Sequence, residues 1–255
     1  MTRSAVLLLC AALSIGCRNT SQNPASTASA VRPDPSMDAR PDGGRAQRSD
    51  QADRQEYNLG SDHRRSRHAR AARNSQPGVF DFYLLAISWS PEFCATHPTS
   101  SECASRPGFV VHGLWPQNND GSYPEHCSNA PGPANPQQYT NVIPTATLVE
   151  HEWATHGTCS GLAPDAYFGE IGQAFRQITI PPAFINTRQE FVLSPGAIID
   201  QFAASNPSLP RGSIALSCGN NFLTAVEVCL SKTLTPEACQ SVHTCGAMVV
   251  KVTPQ

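Results

Sequence analysis

Three histidines and one glutamate, held in two short segments, are the residues best suited to chemistry. The first segment is Phe109-Val110-Val111-His112-Gly113-Leu114-Trp115-Pro116. The second is His151-Glu152-Trp153-Ala154-Thr155-His156-Gly157-Thr158-Cys159. On an α-helix, at about 100° per residue, Glu152 and His156 share one face. Thr155 and His151 lie on its flank, so the four polar residues span about 140° while Trp153 points elsewhere. Such a face suits a site better than a core. The opening His-Glu invites a zinc-protease reading, but that motif needs its histidines at i and i+4. Here the second is at i+5, about 140° away on an α-helix, so no metal and no cofactor is expected. Without a metal, one imidazole takes a proton while another gives one, because imidazole titrates near neutrality. A third, protonated, holds an anion. Glu152 orients an imidazole or carries a proton itself. This set suits transfer at a phosphodiester that brings its own nucleophile, which is RNA with its 2′-hydroxyl. His97, His126 and His243 stand outside the two segments and read as structural.

The elements that position these residues are mixed. Phe80 to Ser90 is rich in aromatic and aliphatic residues and reads as a strand ended by Pro91. Phe109 to Val111 is a short β-branched run before Gly113, and 121–136 is loop, dense in Gly, Pro, Ser and Asn. Thr147 to Thr158 and Asp165 to Ile178 read as helices. Ser194-Pro195 reads as a cap and a first-turn proline opening a helix to about Ser205. Ser213 to Ser217 and Phe222 to Leu230 read as strands. Strands and helices mix without regular alternation, which points to an α+β fold.

Charge and cysteine divide the 255-residue chain. Residues 18–78 hold eleven Arg against seven Asp or Glu, no Cys, and Val31, Met37, Tyr57 and Leu59 as their only large apolar residues. Such a segment cannot offset its ordering entropy and reads, from 17 to 78, as a disordered Arg-rich tether. Arg64, Arg65, Arg67, Arg70 and Arg73, with His63 and His68, are set to touch phosphates or to keep a spacer soluble; the spacer is the simpler expectation. Before the tether, Arg3 and the apolar run Ala5 to Ile15 form a signal peptide over 1–16. A small residue ahead of Cys17 resembles a bacterial lipoprotein cleavage box, with Ser14 where Leu is usual; this would make Cys17 a lipid anchor, and plain cleavage and release is the alternative. Either way the chain is exported, to the periplasm, the outer membrane or the medium. Residues 79–255 carry thirteen acidic against six basic residues and eight Cys: Cys94, Cys103, Cys127, Cys159, Cys218, Cys229, Cys239 and Cys245. An even number in an exported domain reads as four disulfides, which spacing alone does not pair.

The two histidine segments, in this order and about 40 residues apart, resemble the active-site segments of the ribonuclease T2 family. The stretch Phe82 to Cys94 resembles that family's first core strand. The resemblance covers about 79–250. It implies an α+β fold with a central antiparallel sheet flanked by helices. It also implies the pairs Cys94–Cys103, Cys127–Cys159, Cys218–Cys245 and Cys229–Cys239. It further implies a metal-independent endoribonuclease acting on single-stranded RNA, with a 2′,3′-cyclic phosphate formed first and then opened to a 3′-phosphate. His112 and His156 would exchange protons, His151 position the phosphate, and Glu152 support transition-state charge. Trp115 and Tyr123 stand at the spacing of base-stacking aromatics. Stacking is sequence-tolerant, so low base specificity is expected. Gln117 stands where a fungal member carries Asp. Thr155 stands where members commonly carry Lys, which removes a cation from the site. A catalytically weakened relative that binds RNA or a protein partner is the alternative. No obligate protein partner is expected.

Overall fold

The computed structural model describes residues 70–71, 75–105 and 108–255. The expected leader, Cys17 and most of the Arg-rich segment lie outside the described residues. Eight strands are described: β1 Arg70–Ala71, β2 Phe82–Trp89, β3 Phe109–Gln117, β4 Ser122–Tyr123, β5 Phe191–Leu193, β6 Ile214–Gly219, β7 Phe222–Leu230 and β8 Val250–Val252. The α-helices are α1 Ser90–Thr96, α2 Ala146–Glu152, α3 Pro164–Arg176 and α4 Pro195–Ser205. Helix α2 runs on through a π turn, Trp153–Gly157, into a last α turn, Thr158–Ser160.

The six-stranded sheet has the order β3-β2-β7-β8-β5, with β6 also on β7. Its pairings are antiparallel except where β8 meets β7 at Phe222. β2 is buried along its whole length, which fits a strand covered on both faces and explains a run without polar alternation. Tyr83, Leu85, Ile87 and Trp89 enter the main core, while Phe82 and Leu84 join Cys229 in a smaller cluster against Trp115.

Sequence expectations and structure differ at identifiable places. Helix α1 begins directly after β2, because Pro91 sits in its first turn, where a missing N–H costs nothing. β3 does not stop at Gly113 but continues through Pro116. It is an edge strand, where proline is tolerated. Ser194 caps α4 as expected, its hydroxyl accepting from the Ala197 N–H at 3.2 Å. β5 and β8, three residues each, carried too little periodicity to be seen.

All four disulfides form as the resemblance implies: Cys94–Cys103, Cys127–Cys159, Cys218–Cys245 and Cys229–Cys239. The end of the expected tether is held against the domain. Gly78 donates its N–H to the Cys159 carbonyl at 2.9 Å, and the Ser75 hydroxyl accepts from the Glu125 N–H at 3.3 Å. Among the described residues no helix is long and apolar enough to cross a membrane.

Candidate active site

A slip in register builds the site. Across β2 and β3, Ile87 faces Val111 and Ala86 faces Gly113, so His112 is one residue too many for its partner strand. Such a bulge re-aims side chains. Val111 and Leu114, three apart, both enter the main core, where strict alternation would send them to opposite faces. His112 and Trp115 therefore share the other face, their rings 5.3 Å apart. Behind His112, Ser88 of β2 places its hydroxyl 3.3 Å from Nδ1. The sequence motif did not single out Ser88; its signal was a polar residue in an otherwise apolar strand.

The helical arm supplies the other half. Thr145 caps α2 through the Leu148 N–H at 3.2 Å, and the helix ends at Glu152, whose side chain is fully buried. The Trp115 indole N–H donates to Glu152 Oε2 at 2.8 Å, while Oε1 lies 3.4 Å from His112 Nε2. His156 sits in the π turn with its ring 5.2 Å from the same indole. Its Nδ1 and the Glu152 Oε1 are enclosed with no aligned hydrogen-bond partner among the described residues. Buried polar atoms are nearly always paired, so these two stand out among the described residues. The i+5 separation of His151 and His156 spans the π turn, so the α-helical angle of 140° expected from sequence does not describe it. π turns recur at functional sites. Among the described residues no group of three or more His, Cys, Asp or Glu is placed to hold a metal ion.

The remaining expected site residues are spread wider. His151 is half-buried, and its charge acts on both His112 and His156. Thr155 is buried within the π turn. Trp115 helps to build the site: its nitrogen holds Glu152, and its ring meets both imidazoles. Gln117 ends β3, its carbonyl accepting from the Asp81 N–H at 2.8 Å, and Tyr123 is half-buried on β4, opposite Ala71.

Comparison with known proteins decides the family. The family model described as the ribonuclease T2 family matches residues 80–239, more than half of the chain. The chain belongs to the ribonuclease T2 family. A ribonuclease of Aeromonas hydrophila is 47% identical over 104 residues, covering 40% of this chain and 47% of that protein. Ribonuclease DdI of Dictyostelium discoideum is 30% identical over 182 residues, covering 62% of this chain and 77% of that protein. The chain thus spans about half the length of the bacterial relative and three quarters of the other. Among solved structures, RNase NT in complex with 5′-AMP superposes with a TM-score of 0.54 at 21% identity, covering 69% of this chain and 99% of that one. That likeness concerns the fold.

Burial governs the charges in this candidate site. It pushes the Glu152 carboxyl from 4.5 up to about 8, against the opposing pull of the Trp115 N–H. It pushes the His112 imidazole from 6.5 down to about 3, helped by the charge on His151. His156 is driven well down by the same burial and by His151, His112 and His126. Burial thus favours neutral imidazoles at His112 and His156 and a protonated carboxyl at Glu152.

A stability profile follows from these shifts. Glu152 binds its proton more tightly folded than unfolded, so its contribution is present below pH 4.5 and lost as pH rises toward about 8. His112 has the opposite sign: its contribution is present above pH 6.5 and lost as pH falls toward about 3. Glu152→Gln keeps an acceptor for Trp115 but cannot ionise. Thermal melts from pH 5 to 8 should show the wild type losing stability at the alkaline end and Glu152→Gln losing less. Parallel curves for the two proteins would contradict the raised carboxyl.

Proposed function

We propose that this chain is a metal-independent endoribonuclease that cleaves single-stranded RNA with low base specificity. It does so through a 2′,3′-cyclic phosphate that it then hydrolyses to a 3′-phosphate. The observation that carries the reading is the meeting of His112, Glu152 and His156 around Trp115. Two imidazoles with unequal surroundings suit one acid and one base. His156 is neutral, with an enclosed unpaired nitrogen, and is the base that takes the proton from the 2′-hydroxyl. The 2′-oxygen attacks phosphorus, the bond from phosphorus to the 5′-oxygen breaks, and His112 delivers a proton to that leaving oxygen. The proton is at hand, because the Glu152 carboxyl 3.4 Å from His112 keeps its own up to about pH 8. An arriving phosphodiester anion favours imidazolium at His112, which leaves Glu152 as the carboxylate facing it. His151 holds the phosphate. In the second step water takes the place of the leaving group, and acid and base exchange roles. The fold shared with RNase NT, solved with 5′-AMP, supports a nucleotide-sized site, and so do ribonuclease relatives with 47% and 30% identity.

Export by a signal peptide, with Cys17 as lipid anchor and the Arg-rich segment as spacer, completes the proposal; it places the enzyme outside the cytoplasm, where four disulfides persist.

The test is digestion of single-stranded RNA by the oxidised full-length chain in EDTA at pH 5 to 7, with products read by mass spectrometry. Oligonucleotides ending first in cyclic phosphate and later in 3′-phosphate support the reading. A folded protein that cleaves only after added metal, or that binds RNA without cutting it, overturns it. Thr155→Lys should raise kcat/KM, by up to about tenfold, because a cation beside the phosphorane stabilises its charge where a hydroxyl offers a neutral hydrogen bond. Steady-state kinetics on a short oligoribonucleotide checks this.

A further inference from the structure

We propose that His126 binds an RNA phosphate at the mouth of the site and supplies the positive charge that Thr155 does not. The inference rests on the RNA-cleaving reading above. His126 stood outside the two motifs and read as structural, yet nothing in its setting is core. It is exposed, and its backbone lies in the left-handed region at φ 51°. Histidine, like asparagine, is enriched in that region, so the turn tolerates the imidazole, and its contacts carry the argument.

Three contacts fix it against the π turn. Its backbone N–H donates to the Thr155 carbonyl at 2.8 Å, and its Nδ1 lies 3.2 Å from the Ala154 carbonyl. The next residue, Cys127, is bonded to Cys159 at the end of the same helical arm. A carbonyl only accepts, so Nδ1 carries the hydrogen and Nε2 is not held by that bond. His126 is thus pinned to the backbone of the residue where a lysine is missing. It is also within electrostatic reach of His156, since its charge is one of those that lower the His156 pKa. Glu125 precedes it on its own loop, and His156 on the helical arm is the titratable group coupled to it electrostatically. A phosphate anion between the two imidazoles offsets their mutual repulsion.

The experiment uses the oxidised full-length chain, with kcat/KM for an oligouridylate measured at pH 5 across salt. Asparagine is the variant of choice, because it accepts the left-handed backbone while removing the imidazole. With His126→Asn, kcat/KM should fall roughly tenfold, the scale of a lost charge-assisted hydrogen bond. The salt dependence should become shallower by about 0.7 in log–log slope, the value of one phosphate contact on a single strand. Thr155→Lys added to His126→Asn should restore both the rate and the slope. A deficit with an unchanged salt slope overturns the proposal and leaves His126 as a loop anchor. If the wild type cuts RNA and His126→Asn matches it throughout, this inference alone fails. If the wild type does not cut RNA, the parent reading falls and takes this one with it.

Discussion

His156→Ala should lower kcat/KM for single-stranded RNA by about 10²–10⁴-fold, the range for loss of one positioned acid or base. The fold should survive, because the substitution removes an enclosed nitrogen that has no partner among the described residues. An unpaired buried polar group is a cost to stability, so its loss offsets part of the packing lost with the ring. The melting temperature should stay within a few degrees of wild type. His112→Ala should be comparably inactive but less stable, since it also strips Ser88 and Glu152 of their neighbour. The double variant should be little worse than either single one, because an acid and a base that act in one step fail together. Oligonucleotide cleavage followed by mass spectrometry, with melts on the same preparations, reads all three. A His156→Ala protein that keeps most of the wild-type rate would remove His156 from the chemistry and leave Glu152 and His112 to be reconsidered as the pair.

How much of this was legible in the sequence depended on whether the cause was local. The two histidine segments were, because their residue types and order are themselves the signal. The Ser194-Pro195 helix start was also legible, since a cap and a first-turn proline act within one turn. The continuation of β3 through Gly113 and Pro116 was not. Both residues break strands locally, and only an edge position with a buried carboxylate beside it makes them fit. The π turn was not legible either, because no composition distinguishes it from the α-helix it interrupts. Without it and the bulge at His112, the link from Trp115 to Glu152 had no visible basis. His126 was passed over for a related reason. Its partners are backbone carbonyls some thirty residues away, and the clue lay in its neighbour Cys127, whose pairing spacing alone did not settle.

Gly113 is where the bulge, the carboxylate and the indole meet, and its substitution has the second largest expected effect. A methyl group there would sit 1.9 Å from Glu152 Oε2, 2.7 Å from its Cδ and 2.6 Å from the Trp115 indole nitrogen. None of these is the free end of a mobile side chain: Glu152 is fully buried, and Trp115 is packed against Phe82, Leu84 and Cys229. Gly113→Ala must therefore push the carboxyl off the indole. Overpacking costs about 1–3 kcal/mol, and a buried acid left without its donor costs about 1–3 kcal/mol more. At about 2–4 °C per kcal/mol for a domain of this size, the melting temperature should fall well outside measurement error. Activity should fall by at least about 100-fold, because displacing a catalytic group by an ångström is enough to cost that much. A second substitution separates crowding from general damage. Glu152→Asp withdraws the carboxyl by one methylene, so Gly113→Ala with Glu152→Asp should recover stability relative to Gly113→Ala alone while remaining slow. Recovery of stability without rate would show that the glycine is there to let Glu152 reach Trp115 and His112. A Gly113→Ala protein of wild-type stability and rate would mean that the carboxyl has another place to go, and that its closeness to His112 is not needed for the reaction.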